Sequence, residues 1–365
     1  MGFKCGIVGM PNVGKSTLFN ALTETASAQA ANYPFCTIEP NVGDVAVPDP
    51  RLFKLAEIAS SKEIIPTRLA FVDIAGLVRG ASKGEGLGNK FLATIREVDA
   101  IVHVLRCFED GDITHVEGSV DPIRDAEIIE TELMLADLES LEKRLSGMEK
   151  KAKSGEKEAI FLVGLMKKAT VLLEDGKPAN LAEIDKEEAK AWRELNLLTA
   201  KPVLYVCNVE EDAAGTGNEL SKKVQEKADR EGAAVVIISA AIEEEVAQLD
   251  REERGEYLDT LGLSEAGLDQ LIRVGYGLLE LITYFTIGPK EARAWTIPQG
   301  TKAPKSAGVI HTDFEKGFIR AETIAYDDFV EFNGENGCKE AGKMRLEGKE
   351  YIVADGDVMH FRFAN

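Results

Sequence analysis

No run of apolar residues in the chain approaches the roughly 18 that a membrane-crossing helix needs. The longest, Ala233–Ile242, spans ten residues and predicts a buried strand running into a loop. The opening Met-Gly-Phe-Lys-Cys-Gly carries no apolar signal core, and Gly6 stands where a myristoylation motif wants Ser or Thr. A soluble, unexported protein with no membrane partner is expected. Paired cysteines are missing as well: Cys5, Cys36, Cys107, Cys207 and Cys338 are scattered, with no CxxC spacing. Cys5, Cys107 and Cys207 fall in or beside apolar runs, so they predict buried, reduced thiols and a cytoplasmic setting. Basic residues are in deficit, 43 Lys and Arg against 63 Asp and Glu, for a net charge of −20. Such a field repels polyanions unless basic residues gather locally.

What is present is an ordinary globular composition, 44% hydrophobic and 29% charged, which excludes disordered and fibrous classes. A length of 365 residues predicts two or three domains. Phe3–Gly9, Asn41–Val47, Arg68–Asp73 and Ala100–Leu105 read as strands separated by helical spacing, and Pro202–Asn208 and Ala233–Ser239 resume the pattern. That alternation predicts an α/β domain with a mainly parallel sheet. Between the two sets, Ile129, Leu133, Ala136, Leu141, Leu145 and Met148 recur at steps near three and four. After Lys153-Ser154-Gly155 a second stripe follows, Ile160, Val163, Met166, Ala169 and Leu173. Two amphipathic helices around a turn make an inserted helical hairpin, about 121–200. Lys143, Arg144, Lys150, Lys151, Lys153, Lys157, Lys167 and Lys168 cluster near its tip, either as a solvated face or as a surface for a polyanion such as RNA. From about Leu279 a separate small α+β domain follows, with strands at Ala292–Ile297, Phe318–Ile324, Tyr351–Val353 and Val358–Phe363 and a turn at Asp355-Gly356-Asp357.

The chemistry is concentrated near the start. Gly9-Met10-Pro11-Asn12-Val13-Gly14-Lys15-Ser16 matches GxxxxGK[ST] directly after a strand and ahead of the helical run Thr17–Thr23. Gly9 and Gly14 let the backbone curl so that its N–H groups face phosphate oxygens, and the helix N-terminus adds positive potential. Lys15 then reaches the β- and γ-phosphates and the Ser16 hydroxyl ligates Mg2+. Asn12, Val13, Gly14, Lys15, Ser16 and Thr17 are therefore the expected phosphate cradle. Asp73, closing a neighbouring strand in Asp73-Ile74-Ala75-Gly76, is placed to hold Mg2+ through water, and the Gly76 N–H to meet a γ-phosphate. Thr37 lies where a first switch loop supplies a hydroxyl to the metal; the plainer reading is a turn threonine. Asn208-Val209-Glu210-Glu211 stands where GTP-binding proteins carry Asn-Lys-x-Asp. Glu211 displaces the carboxylate by about one methylene, enough to cost a bidentate bond to guanine. Ser239-Ala240 matches the segment whose backbone approaches the base.

With these motifs, and with His311–Arg320, the chain resembles the Obg-related group called YchF in bacteria and Obg-like ATPase in eukaryotes. The resemblance covers essentially the whole length. It implies a G-domain-like P-loop NTPase, 1–278, carrying the helical insertion, and a TGS-like (β-grasp) domain, 279–365. It also implies preference for ATP over GTP, slow hydrolysis with Mg2+, and association with ribosomes, both the large subunit and the whole particle.

One catalytic feature is missing. Many switch NTPases orient water with a glutamine directly after DxxG, and here that residue is Leu77. His115, in the polar loop Gly111–Gly118, is one candidate for the role, as a mobile histidine able to donate or accept a proton near neutral pH; the plainer reading is a loop histidine without a role. The rival is water placed by backbone groups with a monovalent cation (K+) near Asn12. His103, within an apolar strand, reads as a satisfied core histidine. A P-loop kinase, a GTPase and a nucleotide-gated binding protein with incidental turnover are the competing functions; no kinase lid or acceptor pocket is evident.

Overall fold

The computed structural model describes residues 3–30, 41–74, 87–111 and 115–364, with backbone alone at 26–30, 87–90 and 251. By contacts, the described residues of Met1–Thr25, Ile38–Gly43 and Ala70–Leu271 form one compact unit. Those of Ala26–Thr37, Asp44–Leu69 and Ile272–Asn365 form the other.

The strands of the first half are β1 (Lys4–Val8), β2 (Val42–Ala46), β3 (Glu63–Ile65), β4 (Arg68–Asp73) and β5 (Ala100–Arg106), followed by β6 (Val203–Asn208) and β7 (Ala234–Ile238). Six of them make one sheet in the order β2-β4-β1-β5-β6-β7. The pairs β1–β4, β1–β5, β5–β6 and β6–β7 are all parallel. Every residue of β5 is buried, as a central parallel strand covered on both faces requires. The register sets Ile7 beside Asp73, Arg106 beside Asn208, and Asn208 beside Ile238. The carboxyl ends of β1, β4, β5, β6 and β7 therefore share one edge, where the chain order reverses between β1 and β5 and where open α/β sheets bind ligands. The run Ala233–Ile242 departs from its expected strand-then-loop form: after β7 a helix, Ala240–Gln248, begins at once.

The insertion is a pair of helices, Pro122–Lys153 and Lys157–Glu174. Asp121 caps the first by accepting from the Ile123 and Arg124 N–H groups, with Pro122 at the first helical position, where its missing N–H costs nothing. Leu141, Leu165, Met166, Ala169 and Leu173 pack with Trp192, Leu195 and Leu197. Ile160 does not join them; it is exposed, and Ala159 takes the inward place. Asp137 is buried and accepts from the Leu198 and Thr199 N–H groups at 2.9 Å and from the Thr199 hydroxyl at 2.8 Å. These bonds tie the long helix to the segment leading into β6.

In the second unit β8 (Leu281–Ile287), β9 (Glu291–Pro298), β10 (Phe318–Ile324), β11 (Arg345–Glu347) and β12 (Val358–Phe363) join β3 in a mixed sheet ordered β11-β10-β12-β8-β9-β3. Leu52, Leu55 and Ala56 of the helix Pro50–Ala59 pack with Phe285, Ala294 and Val358. Ala303 and Ala307, from the helix Ala303–Ile310, pack with Tyr284, Met359 and Phe361. Tyr351–Val353 is no strand; it makes an isolated bridge between Ile352 and Lys302.

Candidate nucleotide-binding site

Beyond β1 the chain turns through residues 9–14 and enters the helix Lys15–Ala30. Two glycines are required there by contact. A Cβ on Gly9 would stand 2.8 Å from the Val104 carbonyl oxygen, and one on Gly14 would overlap Asn208 Nδ2. Gly14 also has φ +90°, and Asn12, at φ 64°, is one of the few other residue types that tolerates the left-handed region.

Asn208, 4% exposed, clamps the loop from the end of β6. Its Nδ2 donates to the Val13 carbonyl at 2.9 Å, and its Oδ1 accepts from the Ala240 N–H at 2.9 Å. One side chain thus joins the loop after β1 to the start of the helix after β7. Lys15 Nζ forms an ion pair with Asp73 Oδ1 at the end of β4. Asn12, Gly14, Lys15, Ser16, Thr17, Asn208, Val209, Glu211, Ser239 and Ala240 line a single cleft of about 1140 Å³. Val13 takes part through its carbonyl and Asp73 through Lys15. Thr37, Gly76 and Leu77 lie outside the described residues, so their expected roles are not placed.

The cleft also has a wall that no sequence motif marks, made by Phe108, Glu109 and Asp110. Arg106, buried at the end of β5, shapes it. Its Nε donates to the Phe108 carbonyl at 3.1 Å and its Nη2 to the Asp110 carbonyl at 3.2 Å, with the guanidinium carbon 4.6 Å from the Phe108 ring centre. The available signal was an arginine ending an apolar strand just ahead of Phe-Glu-Asp. Lys15 is the only cation among the described lining residues, against Glu109, Asp110, Glu210, Glu211, Asp212 and Glu244. Negative charge is therefore favoured only at the Lys15 end, where the helix N-terminus adds its own positive potential.

His115 is not the mobile loop histidine expected. It is 7% exposed and outside the lining of the cleft. Its Nε2 meets Asp125 Oδ2 at 2.7 Å and its Nδ1 accepts from the Glu117 N–H at 3.1 Å. Packing of the segment onto the first turn of the helix Pro122–Lys153 is what buries it. His103 is also corrected: it lies in the core as expected, but its Nε2 has no hydrogen-bond partner. Burial pushes its pKa down to about 3, so the ring is neutral.

No group of three or more metal-ligating side chains occurs among the described residues. The Ser16 hydroxyl, at the Lys15 end of the cleft, and the Asp73 carboxylate, bonded to Lys15, are hard oxygen donors. They fit Mg2+, which takes one or two protein oxygens and completes its shell with phosphates and water.

Residues 4–136 match a family model described as a 50S ribosome-binding GTPase, and residues 281–364 match the C-terminal domain model of the YchF GTPases, described as a protein of unknown function. A Haemophilus influenzae protein named ribosome-binding ATPase YchF is 62% identical over 363 residues, covering 100% of this chain and 99% of its own length. A Bacillus subtilis protein of the same name is 57% identical over 365 residues, covering 100% of both. A solved structure of the Schizosaccharomyces pombe YchF GTPase superposes with a TM-score of 0.88 at 42% identity, covering 99% of this chain and 98% of that one. With these relatives matched over essentially their whole length, the chain belongs to the YchF family.

Proposed function

We propose that the chain is a P-loop ATPase that binds ATP with Mg2+ in preference to GTP, hydrolyses it slowly, and works as a conformational switch on ribosomes. The observation that carries this is the cleft itself. The Gly9–Ser16 loop, Asp73 through Lys15, and the Asn208 and Ser239-Ala240 segments converge there, with Glu211 on the lip where a guanine-reading aspartate would stand. The relatives in Haemophilus influenzae and Bacillus subtilis, named ribosome-binding ATPases, support the same reading.

When bound, Mg2+ neutralises charge on the β- and γ-phosphate oxygens. Ser16 and Asp73, the latter through water, would hold it, with Thr37 as the third oxygen. The chain's own work is binding and positioning. The loop N–H groups and Lys15 take the phosphates, Asn208 keeps loop and base segment in register, and Val209 and Glu211 face the base. For hydrolysis, His115 must leave Asp125 to reach the cleft, because both ring nitrogens are committed where it stands. A K+ ion near Asn12 with backbone groups of Gly76 is the other way to place the water. That commitment of His115 favours a second reading, a nucleotide-gated binding protein with incidental turnover.

The C-terminal sheet is read as a TGS-like (β-grasp) domain and the setting as cytoplasmic. For the ribosome, large subunit included, we place an RNA contact at the insertion tip. Among the described residues Lys143, Lys167 and Lys168 pair with Glu139, Glu149 and Glu188. Lys150, Lys151, Lys153 and Lys157 form no salt bridge among the described residues, Lys153 acting on Glu149 only at longer range, which leaves a basic tip on an acidic chain. Titration with fluorescent ATP and GTP analogues tests the base preference: ATP should bind at least several-fold tighter, Glu211→Asp should narrow the gap, and equal affinities would refute it. Single-turnover hydrolysis with and without ribosomes tests the switch. Strong stimulation supports it, and an unchanged rate supports the binding protein instead.

A further inference from the structure

Lys15 and Asp73 are bonded to each other in a cleft where each has a separate task. In the reading above the ammonium serves phosphate oxygens and the carboxylate serves the metal's water shell. Each task competes with the pair for the same group. The two side chains are 10% and 22% exposed, so solvent screens their attraction poorly. Lys15 is also the only cation among the described lining residues, against six carboxylates on the rim.

We propose that Asp73 makes the cleft select magnesium-bound nucleotide over free nucleotide, by holding Lys15 until a divalent cation takes its place. The inference rests on the nucleotide reading of the cleft and deepens it. A free diphosphate or triphosphate can recruit Lys15 only by breaking the ion pair. It then leaves Asp73 without a counter-charge beside the arriving phosphates, so one attraction is lost and one repulsion gained. A magnesium complex brings its own cation within reach of Asp73 while the phosphates take Lys15. Both charges are exchanged for equivalents, and neither is stranded. Metal and nucleotide affinities are therefore coupled through this one pair, and by linkage each raises the other by the same factor.

The test is a calorimetric titration with ADP, once in EDTA and once in magnesium, on the full chain and on Asp73→Asn. In EDTA the variant should bind ADP about tenfold or more tightly than the parent, within the usual range of such couplings. Its gain from added magnesium should shrink correspondingly. A group that served only the metal would give a different result: affinity in EDTA within about twofold of the parent, with only the magnesium gain reduced. That result would overturn the proposal. Asp73→Ser in the same titrations, with thermal unfolding of both variants, separates a released lysine from a damaged fold. If the parent failed to bind ADP even with magnesium, the nucleotide reading would fall, and that outcome is distinct from an unchanged variant.

Discussion

Truncating Asn208 to alanine isolates the clamp that joins the two ends of the cleft. The substitution removes the donor to the Val13 carbonyl and the acceptor for the Ala240 N–H, both at 2.9 Å. Val13 and Ala240 are themselves buried, so water reaches neither orphaned group easily. Each buried backbone group left without a partner costs about 1–3 kcal/mol. Some relaxation of the loop lets one of them find water, so we expect a total near 2–4 kcal/mol. In the proposed function the loop carrying Val13 cradles the phosphates, so part of that cost should appear as lost affinity. A share of about 1.4–2.7 kcal/mol weakens ADP roughly ten- to hundredfold. Calorimetric titration with ADP, beside thermal unfolding of the same samples, measures both portions. Asn208→Asp sharpens the test. It keeps an oxygen for Ala240 but sets a carboxylate against the Val13 carbonyl, so it should bind ADP no better than the alanine variant. An Asn208→Ala chain with ADP affinity within twofold of the parent and an unchanged unfolding temperature would refute the clamp.

Much of this cleft was legible because its parts are local patterns. The Gly9–Ser16 spacing, an aspartate ending a buried strand, and Asn208 at the end of Val203–Asn208 are each read within a few residues, and parallel packing then brings the strand ends together. The illegible parts depend on distant partners. Arg106 acquires its role from the carbonyls of a loop that folds back on it. His115 is polar in sequence and buried in fact because Asp125, on the next helix, receives it. The strands Glu63–Ile65 and Arg345–Glu347 are three residues each, too short for an alternating pattern to show, and the first exists only by pairing with Glu291–Arg293. That pairing, with Leu52 and Leu55 packed on Phe285, places the described part of 44–69 in the second unit, a grouping that no composition boundary marks. Leu281–Ile287 escaped for another reason: Leu-Ile-Thr-Tyr-Phe-Thr-Ile directly follows a helix that ends at Leu278, with no Gly or Pro between them to mark the change.

Replacing Lys15 by alanine should abolish tight ATP binding, because no other cation among the described lining residues can take the phosphates; normal ATP affinity in that variant would refute the P-loop assignment. Burial pushes the Glu243 carboxyl from 4.5 up to about 7, despite bonds from the Gly267 and Leu268 N–H groups. The folded chain therefore holds this proton where the unfolded chain has released it, so its contribution is full below about pH 4.5 and is lost as pH rises through about 7, up to roughly 3 kcal/mol. Glu243→Gln should flatten the fall in urea unfolding midpoint between pH 5 and 8, and parallel curves for the two proteins would count against it. The last expectation concerns the water. If His115 places it, His115→Ala should cut single-turnover hydrolysis by about 10²-fold, the lower range for general acid–base help, with ATP affinity nearly unchanged. The same substitution strips one partner from Asp125, which is fully buried and keeps Arg124 on its other oxygen, so a stability loss of about 1–3 kcal/mol accompanies it on any reading. Stability therefore decides nothing here, and the rate must be taken well below the variant's unfolding temperature. Should backbone groups and a K+ ion near Asn12 place the water instead, the variant's rate stays within about threefold of the parent, while exchanging potassium for sodium slows both proteins alike. A histidine that must leave Asp125 before each turnover predicts the opposite pattern: a large loss on substitution and little dependence on the salt.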